Sequence, residues 1–186
     1  MKIRSNVIKT EFNNIGSFSR VNLFKSQCMS MYGIELYNLD SNEINKFLTA
    51  WRVCARKIIN VNPRTHCNLI APLMNCKNPL IIIEERMINF YVKLINHDNS
   101  LLKYIANFSL NNNFSDFTKN IFQILNKNSI SFEKLFKKER IRIKENFQHD
   151  WRIDVLKELI NMRDELVVSN LNLHEINNLI KYLCIE

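Results

Sequence analysis

Glycine and proline are almost missing from this chain, with two and three copies in 186 residues. All-β sandwiches and barrels need many tight turns, and phosphate-cradling loops need glycine, so both classes are disfavoured. Long apolar runs are lacking too. Leu80-Ile81-Ile82-Ile83 is cut by Glu84-Glu85-Arg86, well short of the ~18 residues that a membrane-spanning helix needs. No membrane partner is expected. No apolar stretch follows Met1–Asn6, so no secretory signal is expected either. The five cysteines are odd in number and never form Cys-x-x-Cys. Free thiols in a reducing compartment are the expectation, intracellular and either cytoplasmic or nuclear.

Hydrophobic residues make up 46% of the chain, enough for a sizeable core. Formal charge is +8, with 26 Lys and Arg against 18 Asp and Glu, which points toward a polyanionic partner. The excess is uneven. Residues 101–150 hold nine cations against five carboxylates, and residues 151–186 hold four against six.

Apolar spacing predicts helices nearly throughout, and hence an all-α, irregular multi-helix bundle. The first covers 5–15. Ser19 opens a second, to Tyr32, with Val21, Phe24, Cys28 and Met31 on one face. Asp40 and Glu43 have capping-box spacing and open a third over 40–60, where Ile44, Phe47, Leu48, Trp51, Ala55 and Ile58 recur every three or four residues. A short helix follows from Thr65 to Met74, and Asn78-Pro79 starts another that runs to about Ile95. Asn99 or Ser100 opens the next, and Ser115 opens one to Leu125. A longer helix is expected over 131–147, then one over 150–168 with Trp151, Val155, Leu159, Met162 and Leu166 inward. Asn172 and Glu175 would cap the last. Two regions are expected, a helical 1–128 and a C-terminal helical extension 129–186.

Acid–base and metal chemistry is thinly represented. Asp150 and Asp154 could meet a cation across one helical turn, but such a pair is more often a solvated helix start. His66, Cys67, Cys76 and Cys54 supply soft ligands without zinc-site spacing, and buried thiols are the plainer reading. His174 and Cys184 are not linked by any motif. No cofactor is expected for this chain.

Basic residues carry more. Lys46, Arg52, Arg56 and Lys57 lie on the side of the 40–60 helix away from Phe47 and Trp51, and Arg64 follows the turn. Cations so spaced can meet successive phosphates; the alternative is a solubilising face. Lys134, Lys137, Lys138, Arg140, Arg142 and Lys144 form a second cluster, beside an apolar stripe of Phe132, Phe136, Ile143 and Phe147. Glu139 falls inside that stripe, against the helical pattern. Trp51, Tyr32, Phe90 and Phe108 could stack on bases, but their spacing is that of core residues.

Three segments also carry a resemblance. Residues 23–39 include Lys25-Ser26-Gln27-Cys28 and Tyr32-Gly33-Ile34-Glu35-Leu36-Tyr37. Trp51-Arg52 is followed by Arg56, and then comes Pro63-Arg64-Thr65-His66 with Leu69-Ile70. In order and spacing these resemble the segment after the palm in reverse transcriptases of non-LTR (LINE-type, Jockey/CR1-like) retrotransposons. A fainter likeness runs to about residue 126. The resemblance implies a thumb-like helical region of an RNA-directed DNA polymerase that grips RNA or an RNA–DNA duplex. Arg52, Arg56 and Arg64 would contact nucleic acid, and the missing palm and fingers would be partners. The parent family uses Mg²⁺ held by palm aspartates. No Phe/Tyr-x-Asp-Asp occurs in these 186 residues, so polymerisation by this chain is not expected. Tyr37 stands where the family has Trp, and Asn60-Val61-Asn62 replaces its Leu-Pro lead-in. The expectation is therefore a fragment that binds nucleic acid without enzyme activity of its own. The alternatives are a helical interaction module docking on a palm or another subunit, or a decayed element remnant.

Overall fold

Among the described residues every regular element is helical and none is a strand. The structure is a computed structural model that describes residues 2–12, 15–29, 31–112, 115–137, 139–144, 151–168 and 174–184. Its helices are α1 (Lys2–Glu11), α2 (Ser17–Cys28), α3 (Asn42–Ile58), α4 (Cys67–Leu73), α5 (Pro79–Ile95), α6 (Ser100–Asn112), α7 (Asp116–Lys127), α8 (Trp151–Val168) and α9 (His174–Cys184). Short 3-10 turns occupy Ile34–Leu36 and Phe132–Leu135. The chain is all-α, as its periodicity implies.

Two compact units form, each discontinuous in sequence. The first comprises Met1–Ser30, Lys46–Asn78 and Asn146–Glu186, the second Met31–Asn45 and Pro79–Glu145. Position 128/129, expected as a division, falls inside the second unit.

In the first unit, α3 turns Trp51, Cys54, Ala55 and Ile58 inward against Phe24 of α2, Ile70 and Leu73 of α4, and Leu156 and Ile160 of α8. His66 caps α4, its Nδ1 accepting from the Asn68 amide at 3.4 Å, while its own amide donates to the Cys184 carbonyl at 3.1 Å. The inward face of α8 is shifted from the expected one: Leu159 packs against the core as expected, but Val155 and Met162 do not, and the side chains of Trp151 and Leu166 lie outside those described. Leu156, Ile160 and Arg163 are buried, whereas Val155 and Met162 are exposed. The expected face avoided the charged Arg163. The structure buries it because its guanidinium has partners. Nη1 donates to the Asn60 carbonyl at 2.8 Å, and Nη2 to the Ile59 carbonyl at 2.9 Å and to Ser17 Oγ at 3.2 Å.

Those two carbonyls close α3. Asn60 sits in the left-handed region (φ 52°), which asparagine tolerates, and the Val61 amide donates back to the Arg56 carbonyl at 3.0 Å. A cation at a helix C-terminus also meets the favourable end of the helix dipole. Asp164, the next residue, serves the opposite pole of another helix. Its carboxylate accepts from the Ser17 amide and from Ser17 Oγ at the start of α2. One dipeptide of α8 thus ends α3 and begins α2.

Cys28, Cys54 and Cys184 are buried, and Cys67 is exposed. Burial pushes the Cys28 and Cys184 thiols up from the ordinary range. A raised folded-state pKa means that the unfolded chain ionises first. Stability is therefore full below the unfolded thiol pKa, near 8.5–9, and falls as pH rises through the folded values. Urea midpoints should drop between pH 8 and pH 10 in the parent, and less in Cys28→Ala/Cys184→Ala. Parallel pH profiles in the two proteins would contradict this.

The second unit is built on α5, which is apolar nearly all round and contacts α6, α7 and both 3-10 turns. Ile83, Met87, Ile88, Tyr91 and Ile95 are buried, together with Ile121 of α7 and Ala106 of α6. The Tyr91 hydroxyl donates to the Ala106 carbonyl at 2.8 Å. Burial raises its pKa. Ser115 caps α7 with Thr118 in a full capping box, and Asn99 Oδ1 accepts from the Leu101 and Leu102 amides at the start of α6. At α3 the Ile44 amide reaches Ser41 Oγ at 3.4 Å. The start is one residue later than the Asp40 of the expected box, whose carboxylate instead accepts from Gln123 Nε2.

The expected helix over 131–147 is corrected. Helical hydrogen bonding ends with the 3-10 turn at Leu135, and 139–144 carries no helix; 145–147 lie outside the described residues. The reason is visible in Arg140-Ile141-Arg142-Ile143-Lys144. Ile141 and Ile143 are buried while the three cations are exposed, a period of two. Glu139, exposed, interrupts no apolar stripe once the segment is not a helix.

Candidate nucleic-acid interface

The basic residues singled out by sequence fall into two clusters, one in each unit. In the first unit Lys46, Lys57 and Arg64 are exposed, and Arg52 and Arg56 are half-buried on α3. Arg56 is committed to the fold. Its Nε and Nη2 both donate to the Thr65 carbonyl, at 3.1 and 2.7 Å, and Nη2 approaches Cys67 Sγ at 3.5 Å. Thr65 is buried, and its hydroxyl and amide both donate to the Asn62 carbonyl, at 2.7 and 2.9 Å. Asn62 Oδ1 in turn accepts from the Arg64 amide at 2.8 Å. The Arg56 and Thr65 of the two short motifs are therefore joined by hydrogen bonds that fix the α3–α4 turn and leave Arg64 outward.

In the second unit Lys134, Lys137, Arg140, Arg142 and Lys144 are all exposed; Lys138 lies outside the described residues. What fixes the last three is the backbone between them. Asn89 of α5 grips the Ile141 peptide on both sides, Nδ2 donating to its carbonyl at 2.7 Å and Oδ1 accepting from its amide at 2.8 Å. One turn earlier, Glu85 Oε1 accepts from the Ile143 amide at 2.7 Å. With Ile141 and Ile143 turned inward, the intervening basic side chains face out. This clamp has a local signal, Glu85 and Asn89 at i,i+4 on a largely apolar helix, but its target 52 residues away has none.

Two cavities lie along this segment. The smaller, about 230 Å³, is bordered by Lys134, Lys137, Arg140 and Arg142, with Glu139 the single carboxylate and Ile130 and Ile141 the apolar wall. The larger, about 540 Å³, is balanced: Arg86, Lys93 and Arg140 against Glu35, Glu85 and Glu139. Phe90, Ile82 and Val92 add apolar surface to it. Arg86 is held by the Met31 carbonyl, which its Nη1 meets at 2.9 Å. Sequence reading missed Arg86 and Lys93, although their spacing of seven, with Phe90 between them, puts all three on one helix face.

Of the four aromatic side chains weighed for stacking, Trp51 is buried and Phe90 half-buried. Tyr32 is fully exposed and Phe108 half-exposed, a correction to their expected place in the core. Phe108 belongs to an apolar stripe of α6, together with Leu101, Tyr104 and Ile105, each more than half exposed. Tyr104 and Phe108 stack with centroids 6.2 Å apart.

Among the described residues no group of three or more His, Cys, Asp or Glu is placed to hold a metal ion, and no helix is long and apolar enough to cross a membrane. Asp150 lies outside the described residues. No family model, no curated protein and no solved structure matches this chain.

Proposed function

We propose that this chain is a nucleic-acid-binding helical module of the kind that follows the palm in non-LTR retrotransposon reverse transcriptases, and that it holds RNA or an RNA–DNA duplex by its phosphates. The observation that carries the reading is the outward basic row Arg140, Arg142 and Lys144 on a backbone clamped by Asn89 and Glu85, with exposed Lys134 and Lys137 beside it. Preordered cations lose little freedom on binding, and arginine can meet two phosphate oxygens at once. Exposed Lys46, Lys57 and Arg64 extend the same chemistry to the other unit. The all-α architecture and the Trp51-Arg52, Arg56 and Pro63-Arg64-Thr65-His66 motifs support the family assignment.

The test is salt. If two or more phosphates are neutralised, affinity for an RNA–DNA duplex should fall about tenfold or more between 50 and 200 mM salt. Equal affinity at both concentrations overturns the reading.

A specific observation favours a second reading, a module that docks on another protein. Leu101, Tyr104, Ile105 and Phe108 form an uncovered apolar stripe at helical spacing, the kind of patch that marks a partner surface. On that reading Tyr104→Glu abolishes association with the partner and leaves nucleic-acid affinity unchanged.

A further inference from the structure

The two cavities of the second unit differ in charge rather than merely in size. Around the smaller, four cations face one carboxylate. Around the larger, three cations face three carboxylates and an aromatic ring. Arg140 and Glu139 border both, so the cavities are neighbours with a common wall. A ligand with one strongly anionic part and one neutral, partly apolar part matches this division. A nucleotide has that make-up.

We infer that the cavity pair seats one unpaired nucleotide of a bound strand, its phosphate among Lys134, Lys137, Arg140 and Arg142 and its base in the larger cavity beside Phe90. The inference rests on the nucleic-acid reading above and deepens it by naming the bound group. The phosphate takes the small cavity because only there do cations outnumber carboxylates, and a buried or half-buried anion needs such excess. The large cavity, where Glu35, Glu85 and Glu139 match the cations one for one, offers no such excess. Those carboxylates instead accept hydrogen bonds from exocyclic amines or sugar hydroxyls. Its volume falls within the roughly 300–1,000 Å³ of ordinary ligand sites. Phe90 offers a surface for stacking, which accepts any base. A paired base cannot reach such a cavity without leaving its stack, so single-stranded RNA is preferred over a duplex of the same length.

The experiment uses the full chain and a fluorescein-labelled single-stranded 12-mer RNA, with the same RNA paired to DNA as comparator. Anisotropy titrations compare two variants of equal charge loss, Lys134→Gln/Arg142→Gln in the small cavity and Lys103→Gln/Lys119→Gln on α6 and α7. All four side chains are exposed, and circular dichroism verifies that both variants fold. The cavity variant should lose about tenfold or more in affinity for the single strand and the control about threefold or less, because only the first removes seated contacts. The parent should bind the single strand more tightly than the duplex. Equal loss in the two variants, or equal affinity for the two probes, overturns the inference and leaves the nucleic-acid reading standing. Absence of salt-dependent binding to either probe removes the reading itself.

Discussion

Replacement of Arg163 by methionine is expected to destabilise the first unit by about 3–5 kcal/mol, the cost typical of removing one partner from a buried charge cluster. Only 3% of Arg163 is exposed. Methionine fills much of the same volume, so the loss is polar rather than a cavity. The Ile59 and Asn60 carbonyls lose their donor at the end of α3. The buried Ile59 carbonyl, left unpaired, costs roughly 1–3 kcal/mol, while the Asn60 carbonyl, on an exposed residue, turns to water at a smaller cost. Asp164 Oδ1, 3.9 Å from the guanidinium, loses a counter-charge while still holding the start of α2. Burial lowers the Arg163 pKa and Asp164 partly restores it, so the pair is interdependent. For a chain of this length each kcal/mol shifts the midpoint by roughly 2–4 °C. Thermal unfolding followed by circular dichroism should therefore show a drop of about 6–20 °C, and Arg163→Lys a smaller one. A midpoint within about 2 °C of the parent would mean that the cluster contributes nothing of the kind.

That cluster also marks where sequence reading stops. Helices α3, α5 and α7 were legible because their signals are local. Pro79 begins α5, Ser115 begins α7, and the apolar residues of α3 keep a period near 3.6. The inward side of α8 was not, because pattern reading assigns a charged residue to solvent. Only the α3 carbonyls and Ser17, distant in sequence, make burial of Arg163 tolerable. The segment 139–144 failed for a different reason. Its period of two is plain in Arg140-Ile141-Arg142-Ile143-Lys144, but the six cations from Lys134 to Lys144 among apolar residues also fit a helix over a short window. Glu139 was the misfit that the helical reading left over. Tyr32 and Phe108 were assigned to the core on spacing alone, and spacing does not say whether a facing element exists. The basic clusters themselves were legible; the Arg56–Thr65 link and the cavities were not, since both depend on tertiary approach.

Asn89→Leu is expected to have the largest effect on the basic segment, and to separate stability from presentation. Asn89 supplies both hydrogen bonds of the Ile141 peptide, and Ile141 is buried. Leucine has nearly the same size and neither polar atom. The orphaned amide and carbonyl cost roughly 1–3 kcal/mol each in place, so the segment relieves them by leaving for water. Glu85 still holds the Ile143 amide. Departure exposes Ile141 and Ile143 and gives trypsin access to Arg140, Arg142 and Lys144, which a protease needs in extended, detached form. Opening by about 2–4 kcal/mol less than in the parent raises the cleavage rate there roughly 30- to 1,000-fold where cleavage follows the open population. The α5 core, anchored by Ile83, Met87 and Ile88, should keep its helical signal. Asn89→Asp is the sharper companion. Its carboxylate still accepts from the Ile141 amide but repels the Ile141 carbonyl, so cleavage should rise to an intermediate rate. If the basic row binds phosphate because it is preordered, both variants also weaken single-stranded RNA binding without any loss of cationic residues. Unchanged proteolysis in Asn89→Leu would show that the Glu85 contact and the buried isoleucines hold the segment without Asn89. Faster proteolysis with unchanged RNA affinity would show that ordering of the row contributes nothing to binding.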